Sequence, residues 1–212
     1  MIYGAINQAV FQQIPPEAKT ILDIGCGSGA LGQKIKENQN CQIVGVTYSH
    51  EEANLASKVL DSVIVADINA LDTSSLGQFD CIICSHILEH LYQPNIFLKK
   101  LHNNLSEEGK IVVALPNVLH FKQRWQFIKG HFKYTDGGLM DKTHFRLFDW
   151  DTAYELLIDS GYNVSYRYAD GYLPLPVIRK FLGLMEKKMN NFATANFPSL
   201  FGVQFILVAQ KL

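Results

Sequence analysis

No stretch of this chain approaches about eighteen consecutive apolar residues, so nothing in it reads as a membrane-spanning helix. Net charge is almost missing too. Nineteen Lys and Arg stand against twenty Asp and Glu, a balance of -1, which removes the field expected of a dedicated nucleic-acid binder. Cysteine is scarce, and the four present (Cys26, Cys41, Cys81 and Cys84) sit among apolar or glycine neighbours where a small buried hydrophobe fits. No disulfide framework is visible. Cys81 and Cys84 have C-x-x-C spacing, but FDCIIC reads as a buried strand that would send the two thiols to opposite faces, so no metal or redox use is expected. The opening MIYGAINQAV has neither a basic leader nor a small-residue cleavage site, and a cytoplasmic location is the expectation. Repeats and low-complexity tracts are absent. What remains is 212 residues with 48% hydrophobic and 18% charged side chains, enough for one core and a single domain over 1–212.

Along the chain, short β-branched runs alternate with helical spacing. KTILDI (19–24), Gln42 to Val46, Ser62 to Ala66, Phe79 to Cys84 and Lys110 to Leu115 read as strands. Between them, Ala30 to Asn38, Glu51 to Leu60 and a segment opened by Pro94 read as helices. Strands that are continuous apolar runs rather than alternating ones argue for a parallel sheet covered on both faces. The expected fold is therefore α/β, a Rossmann-like doubly wound sheet. Asp149 caps a further helix that Gly161 stops, and Tyr162 to Tyr168 and Val203 to Gln210 read as two final strands. Two insertions interrupt the pattern, 117–148 and 172–200, and both are expected to form helical covers.

The first strand runs into Asp23-Ile24-Gly25-Cys26-Gly27-Ser28-Gly29, a glycine turn that lets a nucleotide-type ligand approach the backbone without meeting a Cβ. Gly25, Gly27 and Ala30 also satisfy G-x-G-x-x-G/A, which keeps NAD open as a ligand. Asp23 points elsewhere: its carboxylate would repel a pyrophosphate but would hold an ammonium group. An amino-acid-bearing nucleoside is favoured.

With those residues in view, ILDIGCGSG resembles the first motif of the class I S-adenosylmethionine-dependent methyltransferases. Val65-Ala66-Asp67-Ile68, Phe79 to Cys84, His86-Ile87-Leu88-Glu89-His90-Leu91 and Leu105 to Lys110 resemble later motifs in the same order. Asp141-Lys142-Thr143-His144-Phe145-Arg146-Leu147-Phe148 is similar to a D-x-x-H-x-R-x-F block of a subset that includes quinone and glycan-associated O-methyltransferases. The resemblance covers roughly residues 19 to 168. It implies a seven-stranded sheet with a reversed last strand, S-adenosyl-L-methionine as cofactor, and methyl transfer to a small-molecule acceptor, with a hydroxyl oxygen of a sugar, quinone or lipid-linked compound expected. It further implies that Asp23, Gly25, Cys26 and Gly27 line the methionine end, that Asp67 and Ile68 meet the adenine, and that Ser85 and His86 lie beside the sulfonium. One position departs from the pattern. The acid expected at the end of the second strand is Thr47, and a hydroxyl cannot take the ribose diol as a carboxylate does, so weaker or differently arranged ribose binding is expected, with Tyr48 beside the adenine.

Oxygen methylation needs a base. His86, His90, His120, His131 and His144 lie near candidate site loops, and His144 is favoured, with Asp141 fixing its tautomer and His86 as the substitute. Glu89 and His90 are expected to be structural. The 117–148 insertion carries six Lys or Arg against two Asp, and is expected to close over the site and offer cations to an anionic acceptor. In the second insertion Val177, Phe181, Leu184, Met185 and Met189 fall near helical spacing beside Arg179, Lys180, Lys187 and Lys188, a lid or dimer face with peripheral membrane contact as the alternative. Nucleic acid is not expected as a partner, and a monomer or homodimer is expected. Two other readings stay open: a catalytically silent cofactor-binding protein of this fold, and an NAD-dependent oxidoreductase.

Overall fold

A computed structural model of the chain describes residues 6–174 and 184–212. Seven strands form one sheet: β1 (Thr20–Ile24), β2 (Gln42–Thr47), β3 (Ser62–Val65), β4 (Phe79–Ser85), β5 (Leu105–Pro116), β6 (Tyr162–Gly171) and β7 (Gly202–Lys211). Their order is β3-β2-β1-β4-β5-β7-β6. β1 to β5 pair in parallel, whereas β7 runs antiparallel to both β5 and β6. This is the expected doubly wound sheet with its last strand reversed.

Because β1 is buried on both faces beyond its first residue, its alternate residues feed two separate layers. Leu22 and Ile24 face a layer built with Ile82, Cys84, Val113 and Leu207, closed by α4 (Pro94–Leu101) and α6 (Trp150–Asp159). Ile21 faces the other, built with Ile43, Cys81, Ile83 and Val112 and closed by α1 (Gln8–Phe11), α2 (Ala30–Asn38) and α3 (His50–Ala56). Cys81 and Cys84 thus fall in opposite layers, as a strand requires. The buried Tyr162 ties the first layer to the helix above it, its hydroxyl donating to the Leu98 carbonyl at 2.8 Å.

Local signals explain most boundaries. Pro94 opens α4 where its missing N–H costs nothing. Asp149 forms a capping box with Thr152 at the start of α6, and Gly161, at φ +85°, ends the turn after it. Two boundaries differ from the sequence pattern. α3 stops at Ala56 instead of continuing to Leu60, because Ser57 to Leu60 fold back in turns that bury Leu60. β5 begins at Leu105, not Lys110: Leu105 pairs with Phe79, and a register shift absorbs the intervening residues before Lys110 meets Cys81.

The insertions hold helix α5 (Phe121–Ile128) after β5, and α7 (Leu184–Asn196) and α8 (Pro198–Phe201) before β7. Val177 and Phe181, called part of an amphipathic helix, lie outside the described residues, as do Arg179 and Lys180. Asn117, fully buried where the chain leaves β5, donates its amide to the Ser199 and Gly202 carbonyls and so fastens the two insertions together.

Candidate functional site

The carboxyl ends of β1, β2, β4 and β5, the reversed β7 and both insertions surround one cleft of about 1940 Å³. That exceeds the roughly 300–1,000 Å³ of an ordinary single-ligand site and leaves room for a cofactor and a second molecule.

Its floor is the glycine turn. The N–H groups of Gly25 and Cys26 both donate to the Val46 carbonyl, at 2.8 and 3.0 Å, which draws the turn against the end of β2. Gly25 has φ +81°, a conformation that L side chains rarely adopt, and a Cβ there would also press the Ile87 side chain at 3.0 to 3.3 Å. Cys26 is buried beneath the turn, and burial pushes its thiol up to about 12, which leaves it unreactive. Asp23, at the end of β1, is 2% exposed yet lines the cleft; burial raises its pKa to about 7. A buried carboxylate facing a cavity suits a cationic ligand group and opposes a pyrophosphate.

The side wall corrects the picture at Thr47. Its hydroxyl donates to Glu52 Oε2 at 2.8 Å, both side chains are buried, and both line the cleft beside Tyr48 and Ile68. A carboxylate is therefore present at the end of β2 after all, brought back from α3 rather than carried by the strand. A sequence signal existed: Ser49 to Glu52 has the S-x-x-E spacing of a capping box. Here Ser49 caps α3 as that pattern asks, and its own N–H donates to Thr47 Oγ1 at 3.4 Å. Tyr48 is 77% exposed at the rim. Asp67 is exposed and does not line the cleft; its Oδ1 accepts from the backbone and side-chain amides of Asn69, an Asx turn that orients the loop carrying Ile68.

The far wall begins at Ser85 and His86. Among the described residues His86 is the non-glycine residue with positive φ (+53°), a conformation that aims its ring over the cleft. Its Nε2 lies 2.8 Å from Gln204 Oε1 and its Nδ1 3.3 Å from Glu89 Oε1. The Gln204 amide is fixed by donating to Asp170 Oδ2 and Asn7 Oδ1, while Asn7 donates to Gln204 Oε1 and to Ser85 Oγ. Both neighbours of the His86 ring are thus acceptors. Desolvation by the walls around the partly exposed ring would lower its pKa, but Glu89 and Gln204 outweigh it and the pKa rises. A ring that donates at both nitrogens has no lone pair for a proton, so His86 is a poor base.

His144 is the opposite case. Its ring is almost buried, with Nε2 at 4.0 Å from Glu89 Oε1 and Nδ1 without a hydrogen-bond partner, and burial together with the nearby His90 holds its pKa below the ordinary value. The role assigned to Asp141 does not survive. Asp141 Oδ1 accepts from the backbone N–H and the hydroxyl of Thr143 at 2.8 and 2.7 Å, so it shapes the turn that presents His144 instead of fixing the imidazole tautomer. Glu89 is fully buried and lines the cleft, its Oε1 3.3 Å from His86 Nδ1 and 4.0 Å from His144 Nε2. The backbone N–H groups of Phe145 and Arg146 donate to the Glu89 carbonyl, at 2.9 and 3.1 Å, which locks the His144 segment to the loop after β4. His90 stacks edge-on against His144, and Glu89, His90 and His144 place one ligand-type atom each within 4.8 Å of one another, a set able to hold a metal ion.

His120 is buried against Phe121 and Tyr172, away from the cleft lining, its pKa lowered to about 4 by burial. The cover does not present its cations either. Lys122 and Lys129 lie over the rings of Tyr172 and Trp125, Arg124 and Arg146 donate to the Leu119 and Tyr92 carbonyls, and Lys142 pairs with Asp136. None of them, nor Lys133, lines the cleft. The lining cations among the described residues are Arg167 and Lys187, against six carboxylates: Asp23, Glu52, Glu89, Asp136, Asp141 and Asp170. α7 does lie over the cleft, contributing Lys187, Asn191, Thr194 and Ala195 to its lining. No helix among the described residues is long and apolar enough to cross a membrane.

A doubly wound sheet with one reversed strand, its first turn built of glycine and flanked by a buried acid, is the architecture of an α/β methyltransferase. Residues 5–166 match the family described as a methyltransferase domain, and the chain belongs to that family. Over 105 residues it is 32% identical to (S)-tetrahydroprotoberberine N-methyltransferase of Eschscholzia californica, a stretch that makes up 46% of this chain and 29% of that protein. Over 105 residues it is 25% identical to the ubiquinone biosynthesis O-methyltransferase of Pseudomonas paraeruginosa, covering 47% of this chain and 45% of the relative. The chain thus spans less than half the length of either curated relative. A SAM-dependent methyltransferase from Archaeoglobus fulgidus shares the fold at a TM-score of 0.65 and 19% identity, over 92% of this chain and 87% of that one.

Proposed function

We propose that the protein transfers the methyl group of S-adenosylmethionine to a hydroxyl oxygen of a small-molecule acceptor. The observation that carries this reading is the junction of two unlike walls in one cleft: the glycine turn with buried acids Asp23 and Glu52 on one side, and Glu89, His90 and His144 on the other. When bound, the cofactor supplies an electrophilic methyl group with its own leaving group, so the protein's work is orientation, exclusion of water and management of the acceptor's proton.

Each residue then has a physical task. Gly25 and Gly27 admit the methionine end, and Asp23 meets its ammonium group. Glu52, steadied by Thr47, takes the ribose diol that a strand-end acid would otherwise take, and Ile68 supports the adenine. Ser85 and His86 border the reacting centre, with His86 held by Gln204 as a fixed donor. The acceptor hydroxyl is presented to the wall that contains His144, and α7 with the 117–148 cover shields the pair from water.

Calorimetric titration with S-adenosylmethionine, S-adenosylhomocysteine and NADH tests the ligand. Binding of the adenosyl pair alone is expected; a preference for NADH would sink the reading in favour of an oxidoreductase. His144→Ala is expected to abolish turnover on hydroxyl acceptors while leaving cofactor affinity intact, and retained turnover would remove His144 from the chemistry. An amine acceptor is the second reading, favoured by the acidic lining and by the N-methyltransferase activity in the first relative's name. A panel of amines alongside sugars, quinones and lipid-linked alcohols separates the two.

A further inference from the structure

Arg167 lines the cleft and has no part in holding the cofactor or in managing the acceptor's proton. It stands on β6, and its guanidinium carbon lies over the ring of Trp150 at 4.4 Å and over that of Tyr154 at 4.5 Å, both carried by α6. The two rings hold the group in place, yet their faces offer its N–H donors no lone pair. Nη1 is buried and has no hydrogen-bond partner. None of the ion pairs among the described residues reaches Arg167 either, although six carboxylates share the cleft lining with it. A cation that is fixed, half-buried and unpaired burdens the fold unless an anion meets it.

The sheet register sets its distance from Ser85, which borders the reacting centre. Arg167 pairs with Leu207, Leu207 with Val113 and Val113 with Cys84, so it stands one row below Ser85 and three strand spacings away, about 14 Å. Trp150 also packs on Phe205 of β7, and the guanidinium beside it therefore sits nearer to β4 than its own backbone does, at roughly 10–14 Å. Contacts at the two ends take about 3 Å each. An acceptor with about 4–8 Å between its reacting atom and an anionic group fills the remainder.

We propose that Arg167 is an anion-binding subsite for the acceptor, and that the acceptor carries a single carboxylate at that distance from the atom that takes the methyl group. A guanidinium edge meets the two oxygens of a carboxylate as a bidentate pair. A phosphate monoester has the same fork of oxygens but brings nearly two charges into a lining of six carboxylates and two cations, so repulsion selects the monoanion. The second cation is Lys187, exposed on α7, a helix that packs on β6 and so adds its attraction from the rim. A hydroxyl or an amine acceptor is served alike. The subsite rests on the methyl-transfer reading only for the place of the acceptor's other end.

The test uses protein saturated with S-adenosylhomocysteine. It is titrated calorimetrically with 3,4-dihydroxybenzoate, 3,4-dihydroxyphenylacetate and 3,4-dihydroxycinnamate, each beside its uncharged methyl ester, and with 4-hydroxyphenyl phosphate. At least one acid is expected to bind about tenfold or more tightly than its ester, and more tightly than the phosphate. Arg167→Met, which keeps an unbranched stem between the rings, should bring that preference below about threefold with S-adenosylhomocysteine affinity unchanged. Should that variant not fold, Arg167→Lys keeps the charge without the fork and should cut the preference by about threefold or more. An arginine that only packs α6 on the sheet would lower the melting temperature when replaced and leave the acid-to-ester ratio alone. No acid preferred over its ester overturns the subsite, and so does a preference that persists in the Arg167 variants. Phosphate bound more tightly than every acid keeps the subsite and overturns the carboxylate. Failure of the methyl-transfer reading shows separately, as no binding of S-adenosylhomocysteine before any acid is added, and the acid-to-ester ratio is then read on the unliganded protein.

Discussion

Replacing Glu52 with alanine would remove the carboxylate that α3 returns to the end of β2 and leave the Thr47 hydroxyl, now bonded to it at 2.8 Å, without its acceptor in a buried setting. A hydrogen bond to a charged group contributes about 1.5–3 kcal/mol. If Glu52 takes the ribose hydroxyls, the alanine variant should bind S-adenosylmethionine about 10- to 100-fold more weakly. Glu52→Gln keeps one acceptor oxygen but not the charge, so its loss should be near fivefold, about 1 kcal/mol. The assay is calorimetric titration with S-adenosylhomocysteine, whose stability allows every variant to be compared, with thermal unfolding run in parallel. Rescue is the sharper arm. Thr47→Asp in the Glu52→Ala background restores an acid at the strand end, and affinity should recover most of the way. Wild-type affinity in both single Glu52 variants would refute the assignment, and so would a double variant that binds no better than Glu52→Ala.

Asp23→Asn should raise the melting temperature at pH 8 while weakening the cofactor. The buried carboxylate has its pKa raised to about 7, so folding is penalised once the group ionises, and the penalty builds as pH climbs from the unfolded value near 4 to about 7. Neutral Asn escapes it, and differential scanning fluorimetry at pH 5 and pH 8 should show the gain at the higher pH. In the wild-type protein the same proton competes with the cofactor's ammonium group: affinity should be full above about pH 7 and fall roughly tenfold per unit below, and a flat profile between pH 5.5 and 7 would contradict the contact. Tyr162→Phe removes a buried hydroxyl and leaves the Leu98 carbonyl short of a donor, which should cost about 1 kcal/mol and lower the melting temperature by roughly 2–4 °C with cofactor affinity unchanged.

The central strands were legible because burial on both faces writes itself as short, mostly apolar runs, as in ILDI and IICS. Boundaries set by partners were not: nothing local says that Leu105 pairs with Phe79 across a register shift, or that α3 ends at Ala56. The floor of the cleft follows from the chain alone, since Asp23, Gly25 and Gly27 are consecutive in one turn. The walls depend on what distant segments bring. Glu89 looks like any acid in I-L-E-H-L until residues 145 and 146 close over its backbone, and Glu52 looks like a capping residue until Thr47 turns out to need a partner. The positive charge of the 117–148 cover misled for a similar reason, because its lysines and arginines are engaged by rings, carbonyls and Asp136.

The position of β7 bears on how the molecule is born. It lies between β5 and β6, yet follows both in the chain, so during synthesis two strands must wait with open edges until a later one slides between them. β7 also carries Gln204, the side chain that fixes His86 and Asn7. A nascent chain that has already made the glycine turn and both acids beside it therefore still lacks an ordered reacting centre. An immature chain would be able to load its nucleoside ligand before it could act on anything, and that ligand would be the first outside support its unfinished sheet receives.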